Sequence, residues 1–174
     1  TPIKRFKNIA IVGGGNVAMD AARCAKRMGA ENVYIVYRRS EAEMPARLEE
    51  VHHAKEEGIE FHLLRNPVKI IDDGNGQVCG IECLKMELGE PDASGRRSPV
   101  PVEGKFEILD VDTVISAIGQ RCALEGFEAL ELNKKGIIAA DETTFRTNLP
   151  DVFAVGDATN RGPGIAIAAI GEAN

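Results

Sequence analysis

The sequence predicts an α/β fold in which a parallel sheet is joined to an antiparallel β-meander and then to a shorter segment of different pattern. Three observations carry this. Two short apolar runs are separated by an amphipathic helical stretch, a glycine-rich turn lies between the first run and that stretch, and connections beyond Val68 change from helical to turn-like.

Asn8 to Val12 and Val33 to Tyr37 have the length and composition of buried central strands. Between them Ala18, Ala21, Ala22, Ala25 and Met28 recur at helical spacing, Arg23, Lys26 and Arg27 fall on the outer side, and Gly29 is the expected C-terminal stop. This is a βαβ unit. A second helix is expected from Ser40 and Glu43 in capping-box spacing, with Pro45 in its first turn, Met44, Leu48, Val51 and Ala54 as its apolar stripe, and Gly58 closing it. Phe61 to Leu64 then reads as a third parallel strand.

From Val68 the runs at residues 68–71, 78–88 and 106–109 are joined by turn chemistry, Asp72 to Gly76 and the polar loop Glu90 to Pro99. That pattern predicts a meander, after which Val114 to Gly119 returns to a buried strand. The last segment should contain a hairpin around Lys134 to Gly136, a strand at Val152 to Val155 and a small-residue helix from about Gly164. The chain ends inside that helix and reads as a fragment.

Composition narrows the function. With 44% apolar and 28% charged residues the 174-residue chain resembles a soluble globular protein, and no apolar run is long enough to span a bilayer. The N-terminal residues lack the apolar core of a secretory signal, so a cytoplasmic location is expected. A net charge of −6 argues against broad nucleic-acid binding. Cys24, Cys79, Cys83 and Cys122 show no metal-ligand spacing. Cys79 and Cys83, on one strand, would lie roughly 13 Å apart, beyond the ~7 Å a disulfide tolerates. Reduced thiols are expected, and no metal site.

The glycine turn carries the chemistry. Gly13-Gly14-Gly15-Asn16-Val17-Ala18 follows a strand and opens a helix, the context of a Rossmann-like dinucleotide fingerprint. In that role Gly13 allows the tight turn, Gly15 lets the backbone approach a pyrophosphate, and Ala18 permits close helix packing. The helix N-terminus offers free N–H groups and a positive dipole end to the phosphates. Where NAD-binding forms place an acid at the end of the second strand, this chain has Arg38 and Arg39. Two guanidinium forks suit a 2′-phosphate and favour NADPH; the alternative is a solvated basic pair. Tyr37 either stacks on adenine or belongs to the core. Further on, Gly156-Asp157 ends the run beginning at Val152, where Asp157 reads locally as a turn or helix cap.

The strings GGGNVAMDAAR, IVYRRSEAEMPAR, EEVHHAKEEG, MELGEPDASGRRSPVP, VDTVISAIGQ and VFAVGD closely resemble the small (beta) subunits of NADPH-dependent glutamate synthases and related flavoprotein reductases, over nearly the whole chain. In that family an NADPH domain is inserted into an FAD domain. The resemblance implies an NADPH-binding domain at residues 1–120 and an incomplete FAD-domain segment at residues 121–174. It implies that Gly156 and Asp157 hold the flavin's ribityl-phosphate portion, that Ala117, Ile118 and Gly119 mark the strand end leaving the NADPH domain, and that Asp20 approaches the nicotinamide amide unless it is a plain polar helix residue. The FAD-anchoring glycine loop and the iron-sulfur cluster region belong upstream of Thr1, so this chain alone is not expected to hold FAD. Arg121-Cys122 and Gly164-Ile165-Ala166 depart from the usual family sequence. The implied partner is a large glutamate synthase subunit or another electron-accepting subunit; the alternatives are an NADPH-linked flavoprotein subunit serving ferredoxin or another oxidoreductase partner, and a nucleotide-binding module without turnover.

No catalytic acid or base is nominated. His52 and His53, adjacent on a helix, point about 100° apart; His62 lies on a strand; Ser116 and Cys122 lack a histidine partner motif. Hydride transfer is cofactor chemistry, for which the protein supplies position and electrostatics.

Overall fold

A computed structural model describes residues 6–91, 95, 97–120, 122–134, 136–159 and 169–171. It divides into two compact units, Thr1–Gly119 and Gln120–Asn174.

The first unit has a four-stranded parallel sheet ordered β3-β2-β1-β7, built from β1 (Asn8–Val12), β2 (Asn32–Tyr37), β3 (Glu60–Leu63) and β7 (Thr113–Ser116). Side chains alternate along these strands. Ile9, Ile11, Val33, Ile35 and Tyr37 face the helices α1 (Asn16–Arg27) and α2 (Leu48–Glu56), where they meet Ala18, Met19, Ala22, Val51 and Ala54. Ala10 and Val36 face the other way, onto Ile81 and Cys83 of a second sheet. That sheet is antiparallel, β4 (Arg65–Asp72), β5 (Val78–Pro91) and β6 (Arg97–Leu109), with β5 central. Helices, parallel sheet and meander therefore form three layers around two apolar seams. Arg23 and Arg27 of α1 clamp Glu57 beside α2, with Nε–Oε1 2.9 Å and Nη2–Oε1 2.6 Å.

Several elements differ from expectation for identifiable reasons. Ser40 and Glu43 form their capping box, but it caps a short 3₁₀ turn, Glu41–Glu43, and α2 begins only at Leu48. Pro45 excludes its predecessor from the helical region, and Met44 is extended at φ −65°, ψ 131°. Leu48, expected in the apolar stripe, is 65% exposed. The polar hairpin loop is shorter than predicted, because β5 runs through Pro91 and β6 starts at Arg97. Pro99 and Pro101 are tolerated because β6 is an edge strand. β7 is half-buried rather than buried, since among the described residues only β1 pairs with it, and it ends at Ser116, so Ala117, Ile118 and Gly119 lie beyond the strand. Cys79 and Cys83 do share β5, one exposed and one buried, and all four cysteines are free.

In the second unit Leu130, Ile138 and Ala154 form a small core. The hairpin near Lys134 is held by one bridge, Leu132 to Ile138, and by Gly136 N–H donating to Asn133 O; Lys135 lies outside the described residues. The strand expected at Val152 to Val155 reduces to a single bridge between Arg146 and Phe153. An apolar run becomes a strand only when a neighbouring strand pairs with it, and among the described residues none does. Residues 169–171 are helical, and the rest of the small-residue helix expected from about Gly164 lies outside the described residues.

Candidate functional site

β1 is flanked by β2 on one side and β7 on the other, so the carboxyl ends of β1 and β7 bound the crevice where ligands of open α/β sheets bind. The glycine turn sits at that crevice. Gly13 N–H donates to Val36 O at 3.0 Å, and Ala117 N–H donates to Val12 O at 2.8 Å, pinning the turn between the strand ends.

Each glycine has its own reason. At Gly13, φ is +144° and a Cβ would lie 2.3 Å from Ala117 O. At Gly14 a Cβ would lie 2.7 Å from the Tyr37 ring, so Gly14 exists to admit that ring. Tyr37 is 8% exposed, and its hydroxyl donates to Glu43 O at 2.9 Å. Its two open readings thus resolve to packing beneath the turn. Gly15 differs from both. Its φ of −94° suits any residue, and a Cβ there would meet only Pro45 Cγ, at 4.0 Å. Among the described residues nothing requires glycine at Gly15, and its remaining side is open.

That open side is the N-terminus of α1. Gly15 is its N-cap without a side-chain cap, and its first turn carries no acidic residue. Among the described residues no acceptor takes the N–H of Gly15, Asn16 or Val17, so the positive end of the helix dipole is left for an anion. Ala18 is fully buried against the sheet, while Val17 is 70% exposed and Asp20 is exposed one turn further on. Ala117 borders Gly13, and Ile118 and Gly119 are exposed at the same edge.

Arg38 and Arg39 follow β2 at the same end of the sheet, Arg38 exposed and Arg39 half-buried. The Nε of Arg39 is buried without a partner, an expensive arrangement unless something outside the chain accepts from it. Of the first unit's other described arginines, four are engaged: Arg23 and Arg27 by Glu57, Arg65 by Glu107 at 2.6 Å, and Arg97 by Gly89 O at 3.2 Å.

Sequence reasoning missed the segment that covers the turn. Ala46 N–H donates to Gly14 O at 3.0 Å, and Arg47 N–H donates to the Asn16 side-chain oxygen at 2.9 Å. The signal was Pro45, which breaks the expected helix and leaves residues 44–47 extended enough to cross the glycine turn.

Elsewhere, Gly156 (φ +65°) and exposed Asp157 form a short 3₁₀ turn, where Cys122 Sγ approaches Asp157 O at 3.7 Å. Among the described residues no cluster of three or more His, Cys, Asp or Glu could hold a metal, and no helix is long and apolar enough to cross a membrane. His62 packs edge-on against Tyr34, with its Nδ1 3.8 Å from Glu107, away from the glycine turn.

Known proteins bear out the fold. The chain is similar to thioredoxin reductase of T. acidophilum (TM-score 0.75, 21% identity, 95% of this chain and 49% of that one) and to Mycobacterium tuberculosis FprA in complex with NADPH (TM-score 0.75, 18% identity, 97% and 51%). Among curated relatives it is 48% identical to the NADP(+)-dependent formate dehydrogenase subunit beta of Moorella thermoacetica, over 90% of this chain and 22% of that protein. It is 41% identical to the NADPH-Fe(3+) oxidoreductase subunit beta of Geobacter sulfurreducens, over 99% and 29%. It is 40% identical to the glutamate synthase [NADPH] small chain of Escherichia coli, over 95% and 36%. The chain therefore spans only about a fifth to a third of the length of these relatives. The resemblance to glutamate synthase small chains and related oxidoreductase subunits holds, and with a family match running over residues 1–173 the chain belongs to the pyridine nucleotide-disulphide oxidoreductases.

Proposed function

We propose that the chain is the NADPH-binding part of a flavoprotein oxidoreductase that passes hydride from NADPH to FAD and electrons onward to iron-sulfur centres, as in glutamate synthase small subunits. Residues 1–120 form the NADPH domain and residues 121–174 belong to the FAD domain. The observation that carries this reading is the pairing, at one end of one sheet, of a helix N-terminus whose N-cap glycine is required by none of the described residues with an arginine whose Nε is buried and unpartnered.

The residues present fit NADPH. The N–H groups of Gly15, Asn16 and Val17 take the pyrophosphate, while Arg38 and Arg39 take the 2′-phosphate and exclude the acidic residue an NAD site would use. Gly13, Gly14 and Ala18 hold the turn and helix close enough for that approach. Ala117, Ile118 and Gly119 line the opposite side of the crevice, and Asp20 lies one turn along the helix for the nicotinamide amide. NADPH supplies the hydride and FAD accepts it; the chain binds, orients and screens. Toward FAD the described residues offer Gly156 and the exposed carboxylate of Asp157. The partner is an electron-accepting subunit, such as a large glutamate synthase subunit, and the setting is cytoplasmic.

A second reading changes only the acceptor. The 48% identity to a formate dehydrogenase beta subunit supports an NADPH-linked subunit serving a different oxidoreductase partner, or ferredoxin. A third, a nucleotide-binding module without turnover, is separated by reductase assays with and without added FAD. Calorimetric titration of the chain with NADPH and NADH tests the central claim. NADPH should bind at least about tenfold more tightly, the ~1.5 kcal/mol or more of a charge-assisted hydrogen bond, and Arg38→Ala with Arg39→Ala should remove most of that preference. Equal affinities in the unaltered chain sink the 2′-phosphate assignment.

A further inference from the structure

Among the described arginines of the first unit, three have a guanidinium without a protein partner: Arg38, Arg39 and Arg47. The first two follow β2. The third lies eight residues beyond Arg39, yet its main chain is tied to the first residue of α1 by the 2.9 Å bond from Arg47 N–H to Asn16 Oδ1.

We infer that Arg47 is a third arginine of the nucleotide site, acting on the pyrophosphate, and that Asn16 is the positioning residue that brings it there. The inference rests on the nucleotide reading above and deepens it. Three contacts seat the segment. Ala46 N–H on Gly14 O fixes its height over the turn, Pro45 Cγ is the nearest group to the open face of Gly15, and Tyr37 OH on Glu43 O ties its start to β2. An arginine anchored at this point stands beside the unclaimed amides of Gly15, Asn16 and Val17, and a guanidinium fork matches phosphate oxygens. Arg38 and Arg39, at the end of β2, are placed for the 2′-phosphate instead. The division of labour is therefore specific: Arg47 reads what NADPH and NADH share, and the arginine pair reads what distinguishes them. Asn16, counted from sequence among the phosphate-facing residues, has its side-chain oxygen occupied by the protein itself.

The test is calorimetric titration of the chain with NADPH and NADH, with melting temperatures as a check on folding. Arg47→Ala should weaken both nucleotides by the same factor, about tenfold for one lost charge-assisted contact, leaving their ratio and the melting temperature unchanged. Arg47→Lys, which keeps the charge but loses the fork, should fall between. Asn16→Ala should weaken both in the same sense, and adding it to Arg47→Ala should cost little more, the signature of two residues acting as one. Unchanged affinities in Arg47→Ala overturn the proposal, and so does a loss confined to NADPH, which would make Arg47 a 2′-phosphate ligand. A fully additive Asn16→Ala overturns the positioning role. Failure of the underlying specificity reading shows separately, as equal NADPH and NADH affinities in the unaltered chain.

Discussion

Gly13 and Gly156 both end an apolar run with a positive φ, +144° and +65°, and what surrounds them differs. Gly13 is wedged between two paired strand ends, with a carbonyl oxygen where its Cβ would be and a 12-residue helix departing from the turn. Gly156 opens a three-residue 3₁₀ turn, a Cβ there would meet the Ala169 methyl at 3.1 Å, and the preceding run contributes a single β-bridge. The same local chemistry thus yields a rigid, over-determined turn in one region and a lightly supported one in the other. A strand-glycine motif becomes a rigid turn only when a sheet fixes both of its ends.

Three measurements break or sharpen that contrast. The largest effect should come from Gly13→Ala. Backbone strain and a clash with main chain each cost about 1–3 kcal/mol, so denaturant unfolding should show a loss of roughly 3 kcal/mol or more. Gly156→Ala, which meets only the Ala169 methyl, should lose about 1–2 kcal/mol, the cost of a left-handed conformation. Equal losses would mean that the two turns are equally constrained.

Gly15→Ala separates stability from binding within one loop. An N-cap alanine costs at most about 1 kcal/mol relative to glycine, so unfolding should hardly move, whereas a methyl group on the open face should reduce NADPH affinity about tenfold or more. An unaltered affinity would remove the case for backbone approach at this position.

The smallest effect concerns acid. Arg27, then Arg23, hydrogen-bond the Glu57 carboxylate and hold its pKa below the ordinary 4.5, whereas Glu128 is lowered by the nearby amide of Gly126. A depressed carboxylate stabilises the fold above its unfolded pKa, and that contribution disappears as pH falls through the folded value. In acid titrations followed by circular dichroism, Glu57→Gln should flatten the loss of helix below pH 4.5. Glu128→Gln, whose bond spans two residues, should leave the curve as it is. A similar flattening in both would show that the α1–α2 clamp has no special weight.

Much of the fold was legible because it is written in local periods. The βαβ unit, the meander beginning after Val68 and the turn at Asp72 to Gly76 all follow from alternation, helical spacing and turn residues. The boundaries were not, and each miss has a cause in three dimensions. Pro45 moved the start of α2 by excluding Met44 from the helical region. Edge placement let β6 absorb Pro99 and Pro101, and the lack of a paired neighbour among the described residues reduced Val152 to Val155 to one bridge.

For the site, the sequence by itself determined which residue types stand at the strand ends: three glycines, an alanine and two arginines, in an order that suits a pyrophosphate and a 2′-phosphate. Only the tertiary structure decided what each one meets. Gly14 yields to the Tyr37 ring, Gly15 answers to none of the described residues, and Arg47 returns to the helix N-terminus through Asn16. The physical reason is that conformational preference belongs to a residue and its chain neighbours, whereas exclusion, burial and the satisfaction of a hydrogen bond belong to atoms that meet only after the strands have paired.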